Sequence, residues 1–157
     1  MNSELRNAVE SLYAKYADLL DDGPLDDWPA LFTKQCLYLL IPRENFDQDL
    51  PLAIIRCESR AMLQDRVHSV QETIMHEPRY LRHHITNIQI ESEHEGTLKV
   101  HANYSVIQVL QDQLPEILSV GRYLSILQID ADTGLKFKEQ RVVYDSVMVP
   151  NTIVYPV

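Results

Sequence analysis

Residues 97–109 give the best alternation in the chain: Leu98, Val100, Ala102, Tyr104 and Val106 are apolar, and Lys99, His101, Asn103 and Ser105 are polar. A period of two held over that length fits a pleated strand with one buried face and fits no helix. Similar segments flank it. Ile85, Ile88 and Ile90 belong to a strand whose phase slips between 85 and 88, as a bulge would make it. Residues 117–129 carry apolar groups on both faces. Asp132-Thr133-Gly134 is a turn signal, and a further strand starts at Gly134. There Leu135, Phe137, Glu139, Arg141 and Val143 alternate against Lys136, Lys138, Gln140, Val142 and Tyr144. Strands from 83 to 147 joined by short turns predict an antiparallel meander. Two of them are apolar on both faces, so helices are expected over one face and some other cover over part of the second.

The first half reads differently. Leu5, Val9, Leu12, Tyr16 and Leu19 recur at spacings of four, three, four and three, widened by Ala8, Tyr13 and Leu20. That is the apolar stripe of a helix capped by Ser3 and stopped at Asp21-Asp22-Gly23-Pro24. A short helix with Trp28, Leu31 and Phe32 on its apolar side is expected next, capped by Asp26 or Asp27. Residues 35–41 read as a strand covered on both sides, 43–51 as a polar loop, and 52–56 as a short strand. Ser59 opens a third helix with Leu63, Val67 and Val70 on one face. Helices first and strands after make this a single α+β domain spanning 1–157. The sheet is expected to be long, curved, and antiparallel or mixed.

The net charge is −9 and the sequence pI about 5.0, which argues against the concentrated basic face that nucleic acid requires. No apolar run approaches the roughly 20 residues of a membrane span, and MNSELRNAVE does not resemble a signal peptide. A cytoplasmic location is the expectation. There is no phosphate-binding glycine loop and no G-x-S-x-G elbow; the four glycines are scattered. Cys36 and Cys57 lack the neighbouring cysteines or paired histidines that an iron–sulfur cluster needs, so no such cluster is expected in this chain.

Two chemical readings remain. His76, Glu77, His83 and His84 are close in sequence, but adjacent His83 and His84 on a strand face opposite ways, which argues against a shared metal. Asp26 or Asp27 with His83 or His84 and a tyrosine such as Tyr38 or Tyr104 would make an acid–base site, with Asp27 and His84 the pair taken forward. Helix capping explains both aspartates without chemistry. Arg79, Arg82, Arg122 and Arg141 lie in or beside strands and look placed for carboxylates, internal or on a partner. The apolar tail from Thr152 to Val157 should dock on its own sheet or on another chain.

Several stretches carry a resemblance in order along the chain. They are Asp27-Trp28-Pro29-Ala30-Leu31-Phe32-Thr33, Cys36-Leu37-Tyr38, and Met62 to Val67. Then come Arg79-Tyr80 with Arg82-His83 and Ile85-Thr86-Asn87, Val120-Gly121-Arg122-Tyr123, Leu135-Lys136-Phe137 and Val142-Val143-Tyr144-Asp145. Together they resemble the small (β) subunit of aromatic-ring-hydroxylating Rieske non-haem iron oxygenases. The resemblance implies an α+β cone like that of nuclear transport factor 2 (NTF2-like) and a mainly structural role. It implies a partner large (α) subunit holding a Rieske [2Fe-2S] cluster and a mononuclear Fe(II), assembled as α3β3 around a trimer of this chain. Ferredoxin or reductase would be met only through the large subunit. No catalytic, cofactor or metal residue is then expected in this chain. Arg79, Arg82, Arg122, Phe137, Arg141 and Tyr155 become candidates for contacts with other chains. The text Ile41-Pro42-Arg43-Glu44-Asn45-Phe46-Asp47 resembles small subunits of enzymes acting on aromatic carboxylates, of the salicylate 5-hydroxylase or terephthalate dioxygenase kind. The alternatives are a self-sufficient cone-fold dehydratase or isomerase using Asp27 and His84, and a ligand-binding module without chemistry.

Overall fold

The computed structural model describes residues 3–72, 78–146 and 155–157. Helix α1 spans Ser3–Asp21 and buries Val9, Leu12, Tyr13, Tyr16, Leu19 and Leu20, the expected stripe. It ends where the N–H groups of Asp22 and Gly23 both reach the Asp18 carbonyl (2.9 and 3.2 Å) and Gly23 takes φ +76°. Glycine occupies that left-handed cap at no steric cost.

A 3-10 helix, Leu25–Leu31, follows. Asp26 and Asp27 do not cap it. They lie in its first turn, Pro24 precedes it without a side-chain bond, and Asp27 N–H turns back to the Pro24 carbonyl at 3.1 Å. Proline, with φ already set, starts the turn instead. Phe32 opens the next element, strand β1 (Phe32–Pro42).

The expected loop after β1 begins as a five-residue helix, α2 (Arg43–Asp47). The second strand is shorter and later than its apolar text suggests: β2 covers only Ile55–Cys57, and Leu52 is 74% exposed. Helix α3 (Arg60–Glu72) is capped by Ser59 Oγ, which accepts the Met62 N–H at 3.2 Å, and buries Leu63, Val67 and Val70.

The long strands are β3 (Arg79–His94), β4 (Thr97–Leu110), β5 (Glu116–Asp130) and β6 (Gly134–Tyr144). They form the predicted meander, and the six strands lie in the order β2-β1-β6-β5-β4-β3. All neighbours are antiparallel except β1 and β6, which run parallel, so the sheet is mixed. The phase slip in β3 is real. Register shifts between Thr86 and Gln89, and Asn87 takes φ +54°. A two-residue turn, Glu95-Gly96, joins β3 to β4 with both residues at positive φ, matching the strands' twist. Asp130 closes the β5–β6 turn by accepting the N–H groups of Asp132 and Thr133, both at 2.9 Å. Leu98, Val100, Ala102, Tyr104 and Val106 are all buried on the inner face of the sheet. Helix α1 packs there against β3 and β6, and α3 against β1.

Candidate functional site

The space between α1 and the sheet is where a cone of this kind would hold a small molecule. Aromatic side chains fill it under the central strands, while a groove of about 690 Å3 stays open between α1 and β3, lined by Tyr13, Asp18, His83 and Ile85 among others. Tyr123 stacks on Tyr104 with centroids 4.6 Å apart, Tyr16 meets Phe137 edge-on at 5.4 Å, and Trp28 meets Phe32 and Tyr38 at 5.1 and 5.4 Å. Tyr13 O–H donates to Ser125 Oγ (2.6 Å), which donates to Gln140 Oε1 (2.5 Å). Tyr16 and Tyr38 donate to the Val157 backbone oxygen at 2.7 and 3.0 Å, and Val157 N–H returns a bond to Tyr38 Oη at 3.0 Å. Val157 itself is wholly buried.

Burial pushes the phenols of Tyr13, Tyr16, Tyr38, Tyr104 and Tyr123 above their ordinary 10.0 and the Cys36 thiol from 9.0 to about 11. A raised folded value means the stabilising neutral form is fully present below the unfolded value and is lost as pH climbs through the folded one. Stability should therefore be flat in these groups up to about pH 9 and fall steeply above pH 10. In an alkaline titration the five tyrosines should ionise together with loss of the far-ultraviolet signal. Gradual ionisation of a folded chain would contradict this packing.

Asp27 and His84 are both exposed and make no hydrogen bond or ion pair with each other. The aspartate–histidine pair that does form is Asp21 with His83. Asp21 Oδ1 lies 2.5 Å from His83 Nδ1, and Oδ2 accepts the His83 backbone N–H at 2.8 Å. β3 is the edge of the sheet, and an edge N–H left open invites another strand. The Asp21 carboxylate covers it. Asp22 holds Arg82 Nη1 through both oxygens at 2.9 Å next to it. In the sequence Asp21 is only a helix stop; nothing there marks it as a partner for a residue 62 positions on.

His76 and Glu77 lie outside the described residues. Among the described residues no three of His, Cys, Asp and Glu converge as metal ligands. Cys36 and Cys57 are buried on β1 and β2, and burial holds their thiols in the neutral form. That donor set does not suit a Rieske cluster, which needs two cysteines and two histidines, or a mononuclear iron site.

Among the described residues no long helix lies over the other sheet face. Leu37, Leu39 and Ile41 of β1, Arg141 of β6 and Arg122 and Leu124 of β5 share it, and α2 packs across β1 and β6. The Arg122 guanidinium lies 5.5 Å from the centroid of Phe46 and 3.7 Å from Asp47, clamping α2 to the sheet. Arg141 Nη2 meets Glu139 at 3.1 Å.

Of the candidate contact residues, the fold brings Arg122 and Arg141 together on this outer face. Arg79, Arg82 and Tyr155 lie at the other side, by β3. Arg79 donates to Gln108 Oε1 at 3.0 Å and covers the Tyr155 ring at 5.9 Å. Phe137 is placed wrongly by the strict alternation. Register shifts between Ile126 and Leu127, so Phe137 pairs with Leu127 while Glu139 pairs with Ile126. Lys138 is the extra residue, and Phe137 turns inward, fully buried among Tyr13, Tyr16 and Phe32. The tail takes one of its two expected dockings, on its own chain. Tyr155 packs against the core and Val157 enters it, so both dock within this chain. Ile153 and Val154 lie outside the described residues.

Comparison with known proteins agrees with this architecture. Residues 15–151 match the family described as ring hydroxylating beta subunit. The small subunit of anthranilate 1,2-dioxygenase from Burkholderia cepacia is 32% identical over 95% of this chain and 92% of its own length. A terephthalate 1,2-dioxygenase beta subunit from a Comamonas species is 26% identical over 94% and 96%. A crystal structure from Novosphingobium aromaticivorans, described as the beta subunit of an aromatic-ring-hydroxylating dioxygenase, superposes with TM-score 0.87 at 30% identity, covering 96% of this chain and 95% of that one. The chain belongs to the family of ring-hydroxylating beta subunits, small subunits that partner a large oxygenase subunit. Its fold is the nuclear transport factor 2 type of cone.

Proposed function

We propose that this chain is the mainly structural small subunit of an oxygenase that hydroxylates an aromatic carboxylate, assembled with its large subunit as α3β3. The observation that carries the reading is the aromatic filling of the interior under the central strands. Tyr13, Tyr16, Tyr38 and Tyr123 and the Val157 backbone occupy the space a substrate would need, with several of their polar atoms tied to one another. An acid–base enzyme would instead present an accessible base to a cavity, whereas the His83 side chain beside the α1–β3 groove is fully buried. The relatives named for anthranilate and terephthalate act on aromatic acids, and that supports the substrate class. The Rieske cluster and the mononuclear Fe(II) belong to the large subunit, which also receives electrons from ferredoxin or reductase. The complex works in the cytoplasm, and no helix among the described residues is long and apolar enough to cross a membrane.

The test is co-expression with the cognate large subunit. A brown, iron-containing larger chain should co-purify in equal amount, and the small chain alone should neither turn over nor tightly bind benzoate-type acids. Turnover by the lone chain, or failure of the two chains to associate, would sink the reading.

A further inference from the structure

Two recesses of about 300 and 330 Å3 open on the outer sheet face on either side of Phe46, and Arg141 lines both. The floor of the second is Leu37, Leu39 and Ile41; Leu50, 45% exposed, and Arg56 stand at its rim. Apolar floor and guanidinium rim describe a receptor for a bulky apolar side chain with a carboxylate close by. Glu139 engages Arg141 through Nη2 and Glu58 engages Arg56 through Nε, each through one nitrogen of a fork that carries five N–H donors. Geometry for a second carboxylate remains.

The chain carries such a segment itself. The β4–β5 connection leads through Leu114-Pro115 into Glu116 and Ile117, the first residues of β5, with Leu114 87% and Ile117 68% exposed; Glu116 lies on the surface, its Oε1 accepting from Gln108 Nε2 at 2.5 Å. Leu114 and Ile117 are among the most exposed large apolar residues described, and they sit at the β4–β5 hairpin end of the sheet. Proline stiffens the segment, which lowers the entropy lost when it is held. Leaving Leu114 and Ile117 in water has no internal explanation.

We infer that Leu114 to Ile117 of one copy inserts into the Phe46–Arg141 recess of a second copy, with Glu116 meeting Arg141. The occupant is a second copy of this chain because its exposed sequence, apolar–acid–apolar, complements the recess in both shape class and charge. Donor and recess are different surfaces, so the contact is head-to-tail and closes as a ring when the rotation permits. This rests on the small-subunit reading and supplies the contact that builds its trimer. The electrostatic part is a directed pair at the edge of an apolar contact, the arrangement that fixes register between chains.

The experiment uses the co-expressed complex and measures its mass by light scattering during sizing chromatography. Leu114→Asp and Arg141→Glu should each raise the concentration at which the assembly dissociates about tenfold or more. Unchanged thermal melting of each small chain shows that folding is intact; Leu114 is a surface residue and supplies the safer variant. The swapped pair Glu116→Arg with Arg141→Glu should recover the mass that Arg141→Glu loses. Three results would overturn the inference. The first is both single variants assembling as the unaltered protein does. The second is no recovery in the swapped pair. The third is Arg141→Glu releasing the large subunit while small chains stay associated, which would assign the recess to the large subunit. If the unaltered chains never associate with the large subunit, the small-subunit reading fails; if they do and the variants behave as above, only the recess assignment is at stake.

Discussion

Gly121→Ala should abolish the stable fold. Gly121 sits in β5 opposite Tyr104 on one side and Tyr144 on the other. A Cβ there would lie 2.0 Å from the Val143 carbonyl oxygen and 2.8 Å from Tyr144 Cα. Both are backbone atoms held in the β5–β6 ladder, so no rotamer change relieves the clash. The two strands must separate, and with them the inner row that carries Tyr123 and Val142. Overpacking of side chains costs about 1–3 kcal/mol, and a clash with backbone should cost about 3 kcal/mol or more. Urea denaturation of the purified chain measures it; an insoluble product counts as the same outcome. Gly134→Ala is the control, because its Cβ would meet nothing within 4 Å and only the φ of +77° resists it. That costs about 1–2 kcal/mol. Equal losses at the two sites would show that close approach is not what Gly121 serves.

Phe137→Ala should cost about 3–5 kcal/mol in the lone chain, the usual effect of removing a buried aromatic ring. The ring contacts Tyr13, Tyr16 and Phe32, with centroids 5.3–5.5 Å apart. Its removal leaves a hole at the meeting point of α1, β1 and β6. A residue at a chain–chain contact would behave in the opposite way: normal denaturation of the lone chain and a weakened complex. The measurement separates the two roles, and the second pattern would refute the inward placement of Phe137.

The Phe137 correction shows where local periodicity stops being informative. Alternation over 97–106 is unbroken, and every inward residue it named is buried. In β6 one extra residue, Lys138, inverts the pattern, because a bulge moves everything before it to the other face. The sequence of β6 mixes apolar and charged residues on both sides, so neither phase looked wrong. The bulge in β3 was legible because three isoleucines recorded the slip. At Asp21 the difficulty is distance along the chain. Its carboxylate serves an edge strand 62 residues away, and helix-stop chemistry already accounted for it. The five-residue α2 escaped notice because Phe46 is its one apolar residue, and Arg122 holds it through Phe46 and Asp47 rather than through an apolar stripe.

The amino-acid sequence by itself determined the α1 and α3 stripes, the four-strand meander, the order of helices before strands and the family resemblance. These rest on spacing and turn chemistry, which act between near neighbours. Only the tertiary structure decided that β1 runs parallel to β6, that Phe137 points inward and that Val157 closes the interior under Tyr16 and Tyr38. It also decided that Arg122 and Arg141 share one face while Arg79 and Arg82 flank another. Each of these depends on register between segments far apart in the chain, and a single hydrogen-bond step in register exchanges the two faces of a strand.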